Sequence, residues 1–324
     1  MKTLVINDIH AGVKRQGGTT HASREALEGW MLDKFSNLVR LTEYDVLIIL
    51  GDLFDSRNVD EYLMAKVIDI LLTVPRCYVV LGNHDLGGVM DEKKMSSAEF
   101  VGMVSGHSVV KEPLTLGKLH IIPHLFNQEA FDKAVDECPE NKLLLVHCNI
   151  DSNFAHGDHS LNLSREQIET LDQKHVEVIA GHEHKGRVDG NVTVIGNQFP
   201  SSISDCIGES GKRALLITDD SFSTIPTWDG TDYTEIHVTA ESPTDAKFIR
   251  VMGECSIQEN AIVVSNIAKF RASSNAFIIK NDVKVLTQEV DIGSIANSVD
   301  SFNIVDMFME EIPEAYKKEV EECI

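Results

Sequence analysis

No CxxC pair occurs in the chain, and its six cysteines (Cys77, Cys138, Cys148, Cys206, Cys255 and Cys323) stand far apart. That scatter argues against a disulfide framework and against a structural zinc site, and leaves the thiols to be read as small buried hydrophobes. Long apolar runs are missing too: none approaches the roughly 18 residues of a membrane span. The opening MKTLVINDIHAG breaks its apolar stretch with Asn7 and Asp8, so it does not read as a secretory leader, and a cytoplasmic protein is expected. Positive charge is in short supply, with 29 Lys and Arg against 51 Asp and Glu and a net charge of -22. A field of that sign repels nucleic acid and other polyanions unless a local patch or a partner reverses it. What is present, 43% hydrophobic and 25% charged residues over 324 positions, fits one large globular domain, or a large one with a small appendage, and not a disordered chain. No internal repeat or low-complexity tract interrupts it.

Short apolar, β-branched runs alternate with helical patterns. TLVIN (3–7), DVLIIL (45–50), RCYVVL (76–81), KLHIIP (118–123), KLLLV (142–146) and VEVIA (176–180) read as strands. Between them, SREALEGWMLDKFSNLVRLT and DEYLMAKVIDILLTV place apolar residues three and four apart, as helices do. This is an α/β pattern. TVIGN, RALLITD and YTEIHVT come next as strands without an intervening helix, which predicts a second sheet region. TAESPTD (239–245) reads as a linker. Beyond it, KFIRVMG, SIQENAIVVSNIAKF and NAFIIKND suggest a small β-α-β unit, with the middle stretch β-branched enough to be strand instead. The expected division is a domain over 1–238, a small unit over 245–290 and a helical segment over 297–324. The last of these carries an apolar stripe of Ile304, Met307, Phe308 and Ile312 among many acids.

The carboxyl ends of these strands carry the chemistry. After TLVIN come Asp8 and His10; after LIIL, Gly51 and Asp52; after YVVL, Gly82-Asn83-His84-Asp85; after KLLLV, His147; after VEVIA, Gly181-His182-Glu183-His184. Ligands of open α/β sheets bind at the carboxyl ends of strands, where the loops converge. One such residue reads as a turn or a solvated surface group; five strand ends in succession do not. Imidazole, carboxylate and amide oxygen, with no thiolate, suit a pair of Mn, Fe or Zn ions, and two cations held close need a bridging carboxylate, for which Asp52 is the natural candidate. Asp8 and His10, two apart on one strand end, can face one metal, while Asn83 and His147 on later strands can face the other.

In this order, over roughly the first 185 residues, the motifs D-x-H, GD, GNHD, H and GHxH resemble the calcineurin-like metallophosphoesterase superfamily. The resemblance implies a four-layer α/β/β/α sandwich. It also implies one metal on Asp8, His10, Asp52 and His184 and a second on Asp52, Asn83, His147 and His182. His84 would then be the catalytic residue that is not a ligand, protonating the leaving oxygen or steadying the phosphate, with Asp85 orienting its ring.

GDLFDSRN (51–58) and GNHD differ from the GDxVDRG and GNHE of the protein phosphatases and resemble SbcD-type DNA-repair nuclease subunits, the partners of an SbcC-type ABC ATPase. Asp55 stands where archaeal and eukaryotic relatives often carry a second active-site histidine, which points to the bacterial or phage branch and carries Asp55 over as a catalytic residue. VTVIGNQFPSSISDCIGESGKRALLIT resembles that group's run into its closing strands, and residues 245–285 its DNA-capping unit. The implied activity is 3′ to 5′ exonuclease and single-strand endonuclease cleavage in DNA repair, recombination or replication. Two divalent cations are implied, manganese first, with magnesium, iron or zinc as alternatives.

Lys14, Arg15, Arg57, Lys93, Lys94, Lys185 and Arg187 near the motif loops are the candidate DNA contacts. The implied partners are DNA, the ATPase and, optionally, a second copy of the chain. Two other readings stay open: a phosphodiesterase of small substrates such as cyclic nucleotides, and a mainly structural ATPase-binding subunit.

Overall fold

The computed structural model describes residues 1–13, 19–87, 94–152, 160–218, 221–238 and 245–286. Elements are numbered in chain order. The first sheet contains β1 (Thr3–Ile6), β2 (Val46–Leu50), β3 (Cys77–Val80), β4 (Ser108–Val110), β13 (Lys212–Ile217) and β14 (Phe222–Trp228), in the order β14-β13-β1-β2-β3-β4. The second contains β5 (Leu114–Leu116), β6 (Leu119–Ile122), β7 (Leu143–His147), β10 (Glu177–Gly181), β11 (Arg187–Asp189) and β12 (Val192–Val194), in the order β11-β12-β10-β7-β6-β5. A two-stranded pair, β8 (Asn149–Ile150) and β9 (Asn162–Leu163), comes after β7. The helices of this region are α1 (His21–Leu41), α2 (Glu61–Leu71), the single turn α3 (Asn83–Leu86), α4 (Ser97–Val104), α5 (Gln128–Asp136) and α6 (Arg165–Gln173).

Side-chain alternation along the strands builds the four layers. Val5, Ile48, Leu50 and Val80 meet Ile121, Leu145, Ile179 and Ile195 between the two sheets. Their neighbours Leu4, Ile6, Leu47, Ile49 and Val79 face the other way, onto Phe35 of α1, Leu63 and Val67 of α2 and Val101 of α4. On the far side Ile122, Leu144, Val146 and Val178 pack on Phe131 of α5 and Leu171 of α6. Strands buried on both faces read as continuous apolar runs, which is why VLIIL and CYVV show no polar alternation. Parallel pairing of β1, β2 and β3, and of β6, β7 and β10, sends their carboxyl ends to one edge.

The strands expected as one second-sheet region divide among three sheets. β12 joins β10, whereas β13 returns to the first sheet antiparallel to β1. β15 (Tyr233–His237) pairs in parallel with β16 (Phe248–Met252), which pairs with β18 (Ile278–Asn281). β15, which lies before the boundary expected at 238, thus pairs with a strand of the small unit. That unit also holds β17 (Glu254–Ser256) paired with β19 (Lys284–Leu286), and α7 (Ile257–Ser273). α7 is the stretch that read as helix or strand. Its β-branched content is outweighed by a capping box, in which the Ser256 hydroxyl accepts the Glu259 N–H and the Glu259 carboxylate accepts the Ser256 N–H.

Trp30 on α1 meets Phe248 and Phe277 at ring-centroid distances of 5.8 and 5.6 Å and joins the small unit to the sandwich. Five cysteines are buried free thiols. The segment 297–324 and most of the expected linker lie outside the described residues, within which no helix is long and apolar enough to cross a membrane.

Candidate metal centre

Three of the five motif loops, those after β1, β2 and β10, leave their strands through constrained turns. Asp8, His10, Asp52 and His182 take positive φ values of 49°, 47°, 51° and 84°, a left-handed region that costs a non-glycine residue about 1–3 kcal/mol. The glycines before two of the motif residues are demanded by close approach: a Cβ on Gly51 would lie 2.1 Å from His147 Nδ1, and one on Gly82 2.1 Å from Asp52 Oδ1.

The seven residues read as ligands converge in two groups that meet at Asp52. In one, His10 Nε2 lies 3.1 Å from His184 Nε2, 3.6 Å from Asp8 Oδ1 and 3.8 Å from Asp52 Oδ2. In the other, His147 Nε2 lies 3.1 Å from Asn83 Oδ1 and 3.2 Å from Asp52 Oδ2, and His182 Nδ1 lies 3.1 Å from the same Asn83 oxygen. Ligands about 2.1 Å from a common cation are separated by about 3.0–3.4 Å along a coordination edge; the second group falls within that range, while the first spans 3.1–3.8 Å.

Hydrogen bonding around the groups tests the fit. His147 Nδ1 donates to the Leu50 carbonyl at 2.9 Å, which leaves Nε2 as the lone-pair nitrogen, facing another acceptor in Asn83 Oδ1. Two acceptors brought together need a cation or a proton between them. Asp8 Oδ2 accepts the His182 N–H at 2.9 Å and an Asn7 amide N–H, while Asp8 Oδ1 is buried with no hydrogen-bond donor. Asp52 Oδ1 accepts the His84 N–H at 2.9 Å and Oδ2 sits between the two groups, as a bridge must. A pair of divalent cations fits this donor set.

Without cations, protons take their place. Burial pushes the Asp8 and Asp52 carboxyls up, but the adjoining His147 imidazole, with His10, outweighs it and holds both below the ordinary carboxylate range. Burial pushes His147 down, and the Asp52 and Asp8 carboxylates reverse that and raise it to about 9. His10 is also raised, by Asp55 and Asp8 acting against its burial.

The residues expected to be catalytic are placed differently from one another. His84 is partly exposed, its ring 4.8 Å from that of His10, and its Nδ1 donates to the Asp55 carbonyl at 2.9 Å. Asp85 does not orient that ring. Its carboxylate accepts the N–H groups of Gly82 at 3.0 Å, Phe54 at 3.2 Å and Leu53 at 3.4 Å, so it ties the GNHD turn to the loop after β2. Burial and the neighbouring Asp52 charge push it up to about 7. The Asp55 carboxylate lies 3.4 Å from His10 Nδ1 and 3.9 Å from His84 Nδ1.

The candidate DNA contacts do not form a basic surface among the described residues. Arg57 donates to the carbonyls of Leu86 and Lys94, Lys185 to that of Ile207 at 3.0 Å, and Arg187 pairs with Glu183 at 3.0 Å. Lys94 is exposed. Lys14, Arg15 and Lys93 lie outside the described residues.

Four supporting residues carry no signal in the sequence. Asn7 is gripped by Gln198, whose amide donates to Asn7 Oδ1 at 3.0 Å. Asp205 accepts from His184 Nδ1 at 2.9 Å, and the buried Lys212 donates to the His184 carbonyl at 2.8 Å. Three of them lie in the GNQFPSSISDCIGESGK run, where no spacing marks them out; only a folded loop brings them under the ligands.

A family model described as calcineurin-like phosphoesterase matches residues 1–186. No curated protein matches the chain in sequence. Among solved structures, the chain is similar to a protein of Thermus thermophilus (14% identity, 70% of this chain and 98% of that one, TM-score 0.39). It is also similar to a phosphopantetheinyl hydrolase of Mycobacterium tuberculosis (12%, 60% and 89%, 0.37) and to a dimetal phosphatase from Danio rerio (11%, 71% and 96%, 0.40).

Proposed function

Because the chain belongs to the calcineurin-like phosphoesterase family, whose members hydrolyse phosphoester bonds with divalent metals, we propose that it cleaves the phosphodiester bonds of DNA as the nuclease subunit of an SbcC-type ABC ATPase. The observation that carries the hydrolytic part is the spacing of about 3 Å among carboxylate, imidazole and amide atoms that have no thiolate among them. In this reading Asp8, His10, Asp52 and His184 hold one cation and Asp52, Asn83, His147 and His182 the other, with manganese as the expected metal. Bound there, the cations supply Lewis acidity to the phosphoryl oxygens and make water a nucleophile at neutral pH.

The chain's own residues do the rest. Asp52 holds the two halves in register through Oδ2 and positions the His84 main chain through Oδ1. With His84 Nδ1 tied to the Asp55 carbonyl, Nε2 is the nitrogen left to protonate the leaving oxygen. The Asp85 clamp keeps the turn carrying Asn83 and His84 against the loop carrying Asp52. The spelling GDLFDSRN and GNHD, and the small unit attached through Trp30, support DNA as the substrate.

One observation favours a second reading. Arg57, Lys185 and Arg187 are engaged by protein groups and the net charge is -22, so a small phosphodiester suits the unaided chain better than a polyanion does. The ATPase would have to present the DNA. The discriminating experiment gives the purified chain Mn²⁺, with and without its co-encoded ATPase, and offers duplex DNA, single-stranded DNA, cyclic nucleotides and bis(p-nitrophenyl) phosphate. DNA cleavage that emerges or rises steeply with the ATPase is expected. Turnover of cyclic nucleotides with no DNA cleavage in either arm would replace the nuclease reading by the second.

A further inference from the structure

His184 and His10 on one side of the centre and His147 on the other are backed by different chemistry. Behind His184 and His10 stand carboxylates: His184 Nδ1 donates to Asp205 Oδ1 at 2.9 Å, and His10 Nδ1 lies 3.4 Å from Asp55 Oδ1. Behind His147 stands a neutral group, the Leu50 carbonyl, at 2.9 Å. The nearer ligands differ in the same sense, since the first half has the Asp8 carboxylate where the second has the Asn83 amide. Asp52 is common to both and cancels in the comparison.

Asp205 is fixed independently of any ligand. It is buried, and its Oδ2 accepts the Ser201 N–H at 2.8 Å, the Ser201 hydroxyl at 2.9 Å and the Ser202 N–H at 2.9 Å. Only Oδ1 is turned to His184. A carboxylate at Nδ1 keeps the proton on that nitrogen, aims Nε2 at the cation and makes it a stronger donor. The Lys212 ammonium on the His184 carbonyl pins the main chain of the same residue, so ring and backbone are held separately.

We propose that Asp205 is a positioning residue for His184, and that the half built on Asp8, His10, Asp52 and His184 takes its cation first and more tightly, leaving the Asn83–His147–His182 half as the exchangeable one. The inference rests on the dinuclear reading above.

The test is a titration of the metal-free full-length chain with Mn²⁺ from zero to two equivalents, monitored by calorimetry with a competing chelator and by electron paramagnetic resonance. The wild type should bind in two steps, with an isolated-ion signal at one equivalent that is lost to spin coupling at two. Asp205→Asn keeps an oxygen acceptor but removes the charge. It should weaken the first step by about 10- to 100-fold and leave the second within about two-fold. An unchanged first step, or equal weakening of both, overturns the proposal. Asn83→Ala provides a check that needs no change at Asp205: it should abolish the second step and spare the first, and loss of the first step instead overturns the ordering. A wild type that binds no Mn²⁺ would overturn the dinuclear reading itself, an outcome distinct from two steps of equal affinity, which would overturn the ordering alone.

Discussion

His84 meets the centre through its N–H on Asp52 Oδ1 and an edge contact of its ring with that of His10, and its Nδ1 is held by the Asp55 carbonyl and not turned to the other ligands. A residue so placed is separable from metal binding. His84→Gln should retain two metals per chain by elemental analysis and lose about 10²–10⁴-fold in the hydrolysis of bis(p-nitrophenyl) phosphate. Metal content near zero in that variant would reassign His84 as a ligand. At the same scale, the protons that stand in for cations predict a pH dependence. With His147 raised to about 9 by Asp52 and Asp8 despite its burial, a cation must displace a proton. Mn²⁺ affinity should therefore rise with pH up to about 9, with proton release visible as a dependence of the binding heat on the buffer's ionisation enthalpy. The metal-free chain should show the converse. A folded pKa above the unfolded value of 6.5 stabilises fully below 6.5, and that stabilisation is lost as pH rises through about 9. Its Tm should fall across that window; a flat Tm from pH 6.5 to 9 would contradict the assignment.

Among the described residues, an aromatic cluster joins the small unit to the sandwich. Trp30 of α1 contacts both Phe248 of β16 and Phe277, and these two rings lie 5.8 Å apart. Phe248 is fully buried, among Leu27, Met31, Ile203 and Trp228. Phe248→Ala should cost about 3–5 kcal/mol through lost burial and the cavity left behind. The loss should be local: hydrogen exchange should speed up in β15, β16, β18 and α7 while the two large sheets keep their protection. Exchange that accelerates uniformly would mean that the small unit and the sandwich unfold as one.

Across the whole molecule, a net charge of -22 sets what the chain can do alone. If a partner supplies the DNA-binding charge, cleavage of duplex DNA by the complex should fall steeply with added salt, while hydrolysis of a small diester by the chain alone should barely respond. The helical segment expected over 297–324, whose residues 301–324 carry seven acids and two lysines beside an apolar stripe, fits an amphipathic helix that docks on such a partner. Truncation after about residue 300 should preserve small-diester hydrolysis and abolish co-purification with the ATPase. Undiminished association would rule the segment out as the contact.

What the sequence determined by itself was periodic or local. Unbroken apolar runs marked the strands, because burial on both faces of a sheet needs continuous Val, Ile and Leu, and apolar residues spaced by three and four marked the helices. The placing of Asp8, Asp52, Asn83, His147 and His182 after successive strands implied one edge, because parallel strands share a direction. Strand partners were out of reach. RALLITD and YTEIHVT carry the same pattern, yet one returns beside β1 and the other joins β16, a choice made by which edge is vacant after the chain has folded. The same limit hid the role of Asp85, which clamps two loops instead of steering its neighbour, and hid Asp205 altogether. A carboxylate 21 positions after His184 carries no periodic signal, and only the tertiary packing of its loop brings its oxygen within 2.9 Å of the imidazole.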